Sequence, residues 1–261
     1  MGFDLADYKA RTEKLDDRDI DLDAFRARRL PAEALRCLRY MHDVEFHTIC
    51  YLRDLLLTPA HRDPEVTAFL SFWVYEEFWH GEAIGKVLDA HGEAAGAARV
   101  GPMRAQLGLR DRLTPFGHMI ASALGGTDYT AVHMAWGAIN EWSTQAGYAR
   151  LLARADHPEL TRLLGRIMKQ EGRHIDFYAT QAAARLAASP RAQRLARFAL
   201  RKFWSPVGAG VMPERETTFL IGYLFGGEEG RASAQRIDRR IDRLAGLDRL
   251  HLVEGVLDPA A

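Results

Sequence analysis

The stretch Tyr75-Glu76-Glu77-Phe78-Trp79-His80-Gly81-Glu82 (YEEFWHGE) places carboxylates and an imidazole in the middle of an apolar run. At helical spacing, Leu70, Trp73, Glu77, His80, Ile84 and Leu88 recur every three or four residues and form one face. Leu at positions 77 and 80 would pack better than Glu and His, so this face has a task besides packing. Glu77 and His80 stand at i, i+3, a separation at which two helical side chains point the same way. Glu76 is an alternative donor, but only Glu77 shares the face of His80.

The same intrusion recurs three times. Leu164, Ile167, Glu171, His174 and Tyr178 form a second face with a Glu-x-x-His pair. Leu38, Met41, Glu45, Ile49, Leu52 and Leu56 carry one carboxylate, and Met134, Ala138, Glu141, Tyr148 and Leu152 carry another. In chain order the four apolar faces hold Glu, Glu-x-x-His, Glu, Glu-x-x-His. Burying an unpartnered carboxylate costs on the order of several kcal/mol, against a net domain stability of about 5–15 kcal/mol. Such carboxylates must be protonated, paired or metal-bound. Lys and Arg fall mostly on other faces, so few interior cations are on offer. Two divalent ions offset four glutamates. Oxygen-rich ligation with two imidazoles suits iron or manganese better than a thiolate-preferring metal. The expected ligands are Glu45, Glu77, His80, Glu141, Glu171 and His174, around two iron ions or an iron–manganese pair. One Glu from each of two helices and a Glu-x-x-His from each of two others is the ligand set of carboxylate-bridged dinuclear helical bundles.

The rest of the chain agrees with an all-α fold. It has 261 residues, is 48% hydrophobic, and is rich in helix formers with few β-branched runs. Helices are expected from Pro31 to Leu57, Pro64 to Ala90 with Asp63 as cap, Pro102 to Leu124 with a break near Pro115, the Gly125–Asp128 turn to Ala155, and Asp156 to Ser189. Residues 1–30 read as a loose lead-in, 31–188 as the bundle, and 189–261 as a helical extension packed on it. Lys plus Arg equals Asp plus Glu at 35 each, which argues against a general nucleic-acid binder. Cys37 and Cys50 match no thiol metal site and fit packing in a reducing cytosol. The polar start and the lack of a membrane-length apolar run lead us to expect a soluble cytoplasmic protein.

With these motifs in place, the chain resembles a known family. EEFWHGEAIGKVL (Glu76 to Leu88) is similar to the Glu-Glu-x-x-His-Gly segment of the soluble acyl-acyl carrier protein desaturases. Asn140 to His174 resembles that family's Glu-x-x-Thr segment running into its second Glu-x-x-His helix. The likeness covers roughly residues 35–185. It implies a ferritin-like four-helix bundle with additional helices, the six ligands named above, and Thr144 beside the oxygen-binding side of the metals. It also implies dioxygen-dependent removal of hydrogen from an acyl chain held as a thioester on acyl carrier protein, and a homodimer. The sequence has neither a CxxC pair nor a flavin motif, so electrons would come from a separate donor such as ferredoxin. There are departures. Gln170 stands where the plant enzymes have Asp, and the tail from Phe203 onward is unlike them.

Arg191, Arg194, Arg197 and Arg201 recur at spacings of three, three and four and read as a basic stripe. Such a stripe either steers an acidic carrier protein or forms an ordinary solvated face. Other readings of the ligand pattern are a hydroxylase or N-oxygenase with the same ligands, iron or peroxide handling of the ferritin and rubrerythrin kind, the radical subunit of ribonucleotide reductase, whose usual Asp ligand and longer chain are not seen here, and a metal-free structural bundle.

Overall fold

The computed structural model describes residues 3–56, 58–105, 107–108 and 125–257, with backbone alone at 53–56 and 59. Among the described residues the protein is all-α, apart from a single bridge between Ala209 and Met212. The helices are α1 (Leu5–Arg11), α2 (Leu22–Ala27), α3 (Ala32–Leu56), α4 (Pro64–Ala90), α5 (Asp128–Ala155), α6 (Pro158–Ala188), α7 (Pro190–Phe203), α8 (Glu214–Phe225), α9 (Gly227–Ile241) and α10 (Leu252–Gly255). Residues 97–105 are also helical. Most of the stretch expected to be helical and broken near Pro115 lies outside the described residues.

The four long helices pack in a ring, α3 beside α4, α4 beside α6, α6 beside α5, and α5 beside α3. The α3–α4 and α5–α6 contacts are the more extensive, and their connections are short, so each pair is an antiparallel hairpin. The two hairpins approach less closely, and their facing apolar stripes enclose the centre described below. No helix among the described residues is long and apolar enough to cross a membrane.

Local chemistry explains the helix boundaries. Asp63 caps α4, its Oδ1 accepting from Glu65 N at 3.0 Å and Val66 N at 3.2 Å, with Pro64 next in line. Asp63 Oδ2 also accepts from Arg185 on α6. We expect Asp63→Ala to cost about 1 kcal/mol through the lost cap. That corresponds to a fall of about 2–4 °C in Tm by calorimetry. Thr127 occupies the cap position of α5 without a side-chain bond. His157 caps α6, its Nδ1 accepting from Leu160 N, while Asp156 ends α5 in the left-handed region.

Residues 3–30 are organised more tightly than a loose lead-in. Tyr8, Leu15, Ile20, Phe25 and Leu30 are buried, and Phe25 stacks on His157 at 4.3 Å. Periodicity could not reveal this, because α1 and α2 are shorter than two helical repeats. The expected α3 stripe also needs a correction. Leu38, Met41 and Glu45 are buried, but Ile49 is 42% exposed. Past Glu45 the inward face passes through Thr48 and Tyr51, which line a cavity, and Ile49 rotates outward. Cys37 is packed in the core, where burial pushes its thiol up to about 12.

Candidate metal centre

Six side chains from four helices converge between the two hairpins. Glu45 comes from α3, Glu77 and His80 from α4, Glu141 from α5, and Glu171 and His174 from α6. All are buried, and His80, Glu171 and His174 are wholly inaccessible. They form two overlapping groups of four. Glu45, Glu77, His80 and Glu171 offer ligand atoms within 4.8 Å of one another, and so do Glu77, Glu141, Glu171 and His174. Glu77 and Glu171 belong to both. Each group can hold a metal ion, with the shared carboxylates between the two.

Both imidazoles turn Nδ1 inward. His174 Nδ1 lies 3.0 Å from Glu171 Oε2 and 3.1 Å from Glu77 Oε1. His80 Nδ1 lies 3.5 Å from Glu171 Oε1 and 3.8 Å from Glu45 Oε2. Their outer nitrogens are fixed by the residue preceding each Glu-x-x-His glutamate. His80 Nε2 is 2.8 Å from Gln170 Oε1, and His174 Nε2 is 2.8 Å from Glu76 Oε2. Glu76 is therefore an orienting partner of His174 instead of a ligand. It also accepts from Tyr8 Oη at 2.9 Å and Arg173 at 2.5 Å. A partner on the outer nitrogen fixes the tautomer and ring direction of a metal-binding histidine.

The end carboxylates are held by aromatic donors. Trp73 Nε1 donates to Glu141 Oε1 at 3.0 Å, and Tyr148 Oη donates to Glu45 Oε1. We expect Trp73→Phe and Tyr148→Phe each to weaken one metal position by about 10–100-fold. Competition titration against a chelator would measure this, with Trp73→Phe acting on the Glu141–His174 position and Tyr148→Phe on the Glu45–His80 position.

Electrostatics test whether the donor set fits cations. Glu45 Oε2, Glu77 Oε1, His80 Nδ1 and Glu171 Oε1 are buried without a hydrogen-bond partner among the described residues. A native interior rarely tolerates such atoms without a reason. Burial and the nearby charges of Glu45 and Glu171 push Glu77 well above the usual carboxylate range. Burial and Glu171 do the same to Glu141. His80 is raised despite burial by the carboxylates beside it, Glu171 first, and His174 by Tyr8 and Glu171. Glu171 is lowered despite burial by its hydrogen bond from His174 and by the nearby His80 imidazole. The centre thus favours added positive charge. Four carboxylates and two inward Nδ1 atoms fit a pair of such ions.

A cavity of about 1110 Å³ opens beside the centre. Glu45, Glu77, Glu141, Thr144 and Trp73 line its inner part, and Val132, Trp136, Leu195 and Phe198 give it apolar walls. Thr144 reaches this cavity, whereas its neighbour Ser143 bonds back to Ile139 O at 2.8 Å. Of the other apolar residues near the centre, Met134 and Ile167 are core, Phe72 packs edge-on to Tyr8, and Met168 is partly buried.

The four arginines differ in their surroundings. Arg191 and Arg194 are exposed and line the cavity, with Arg191 3.7 Å from Asp128. Arg197 donates to the carbonyls of Gly246 at 3.1 Å and Asp248 at 2.9 Å, tying α7 to the turn after α9. Arg201 is exposed. His42 and His91 are satisfied core residues. Nδ1 of His42 bonds Asp43 and its Nε2 accepts from Gly96 N, and His91 bridges Val87 O and Leu30 N. A third group of potential ligands, Asp238, His251 and Glu254, is structural, since both Asp238 oxygens accept backbone N–H groups of α10.

No protein-family model matches the chain, and no curated protein matches it significantly.

Proposed function

We propose that the protein is a dioxygen-dependent non-haem dinuclear oxidase of ferritin-like architecture, resembling the soluble acyl-acyl carrier protein desaturases and acting on an acyl chain carried as a thioester. The observation supporting this most directly is the pair of overlapping ligand groups sharing Glu77 and Glu171, set at the inner end of a large apolar cavity. Glu45 and His80 would complete one position, and Glu141 and His174 the other. Two iron ions, or iron with manganese, would supply dioxygen activation, with electrons from an external donor such as ferredoxin.

The chain's own residues supply the rest. Gln170 and Glu76 hold the imidazole Nδ1 atoms inward, and Tyr148 and Trp73 fix the end carboxylates. The walls of the cavity keep an extended hydrocarbon dry and pass it beside Glu141 and Thr144, whose hydroxyl can hold or pass a proton there. Arg191 and Arg194 face the anionic part of a carrier-bound substrate at the rim.

The test is to load the protein with iron, reduce it without oxygen, and then add dioxygen with a panel of acyl-carrier-protein and acyl-CoA thioesters. A two-dalton loss in the acyl product is expected. A sixteen-dalton gain would make it a hydroxylase. Unchanged acyl chains with continued iron accumulation would overturn the reading in favour of iron handling.

A further inference from the structure

Helix α7 carries five basic residues and no acidic one, in a chain whose basic and acidic residues are equal in number. At helical pitch, Arg191, Arg194, Phe198, Arg201 and Lys202 share one arc of about 100°. Ala192, Ala196 and Leu200 are buried on the opposite side. The outward arc is not uniformly polar. Phe198 in its middle is 61% exposed, and Phe203 at the end of the helix is 62% exposed. Their rings stand edge to face at 6.0 Å, so two large apolar groups project together from a cationic surface. Nearby carboxylates lie to the side, with Asp128 3.7 Å from Arg191 and Asp248 3.9 Å from Arg197. Among the described residues no carboxylate pairs with Arg194, Arg201 or Lys202.

A single exposed apolar side chain is ordinary, but two in contact amid cations ask for a partner. A second copy joined by two-fold symmetry would set these cations against themselves. A folded protein partner covers roughly 800 Å² on each side, and the outward face of one helix, about 20 Å by 10 Å, supplies only a fraction of that. A bilayer needs no complementary pocket, because anionic headgroups meet Arg and Lys while aromatic rings sink between them. We propose that the C-terminal half of α7 docks on an anionic lipid surface, with Phe198 and Phe203 in the headgroup layer and Arg201 and Lys202 against lipid phosphates. Arg191 and Arg194 add to the attraction from the other end of the helix. Both rings also line the large cavity, so docking sets that cavity next to the lipid. The inference does not depend on the reaction at the centre, and losing it leaves the proposed activity in place.

The test is flotation of the full-length protein with vesicles of phosphatidylcholine alone or mixed with phosphatidylglycerol, at low and at high salt. Binding is expected to the mixed vesicles at low salt, with little to phosphatidylcholine alone and a loss as salt screens the charges. Arg201→Gln and Lys202→Gln should each weaken it about fivefold. Phe198→Ser and Phe203→Ser should each weaken it about tenfold, even at low salt. All four positions are exposed, and melting curves check that each variant folds. Failure to float with the mixed vesicles overturns the proposal. So does flotation that both Phe variants leave unchanged, since charge alone then suffices. In a protein that does not float, a dimer dissolved by Phe203→Ser assigns the face to a second copy. Binding of acyl carrier protein lost in Arg201→Gln assigns it to the carrier instead.

Discussion

Glu171→Gln is expected to remove both metal ions, taking occupancy from about two per chain to about none, because a bridging carboxylate serves both positions. Glu45→Gln should leave one ion bound, since Glu45 belongs to only one ligand group. Metal analysis after gel filtration separates these outcomes. The metal-free variants should also differ. Glu171 is the carboxylate beside both buried imidazoles, 3.0 Å from His174 Nδ1 and 3.5 Å from His80 Nδ1, and breaking a buried pair costs about 3–5 kcal/mol. Metal-free Glu171→Gln should therefore melt roughly 10 °C below the metal-free parent. Burial and its neighbours' charges push Glu77 up, whereas Glu171 is lowered, so the anionic form is less favoured at Glu77. Glu77→Gln should lower the metal-free melting temperature less than Glu171→Gln does, while still emptying the centre, because Glu77 belongs to both ligand groups. The pH dependence has a definite sign. Glu77, Glu141, His80 and His174 are all raised, so protons compete with metal ions for these groups. Metal affinity should rise with pH, and titration in a weak buffer should show proton release.

Gly137→Ala is the second substitution with a large expected effect. An added Cβ would lie 2.3 Å from Cδ1 and Cε1 of Tyr178, across the α5–α6 contact. Tyr178 cannot step aside, because it is 1% exposed and wedged edge-on against Phe69 at 5.2 Å and Trp73 at 5.9 Å. Overpacking of this kind costs about 1–3 kcal/mol, which predicts a fall of about 2–12 °C in Tm. The strain reaches the centre, since Trp73 holds Glu141. Metal affinity at the Glu141–His174 position should therefore fall as well. Gly165 on the exposed side of α6 is the internal control, with nothing within 4 Å of an added Cβ. Gly165→Ala should raise stability by about 0.5–1 kcal/mol through helix propensity alone.

These two substitutions also mark what the sequence makes legible. The stripes of α4 and α6 are readable because each helix is long and buries one face along its whole length, so Leu, Glu, His and Ile keep a single period. The stripe of α3 is readable to Glu45 and again at Leu52, which packs against the core. Between them Thr48 and Tyr51 line a cavity, and Ile49 misleads. Partners set by tertiary contact left fainter signals. Glu76 and Gln170 occupy the same place ahead of each Glu-x-x-His, a repeat visible in the sequence. That each reaches the histidine of the opposite helix depends on the α4–α6 packing. Tyr148 and Trp73 look like core aromatics, and their roles rest on one polar atom meeting a carboxylate from another helix. Tyr8 lies 68 residues from its partner Glu76, on a helix of 7 residues, and no periodicity could place it there.

The most direct measurement is anomalous diffraction at the iron edge from crystals of iron-loaded protein. Two peaks per chain are expected, one among Glu45, Glu77, His80 and Glu171 and the other among Glu77, Glu141, Glu171 and His174. Crystals with no peak inside these six side chains, with any iron confined to the surface, would contradict a dinuclear centre.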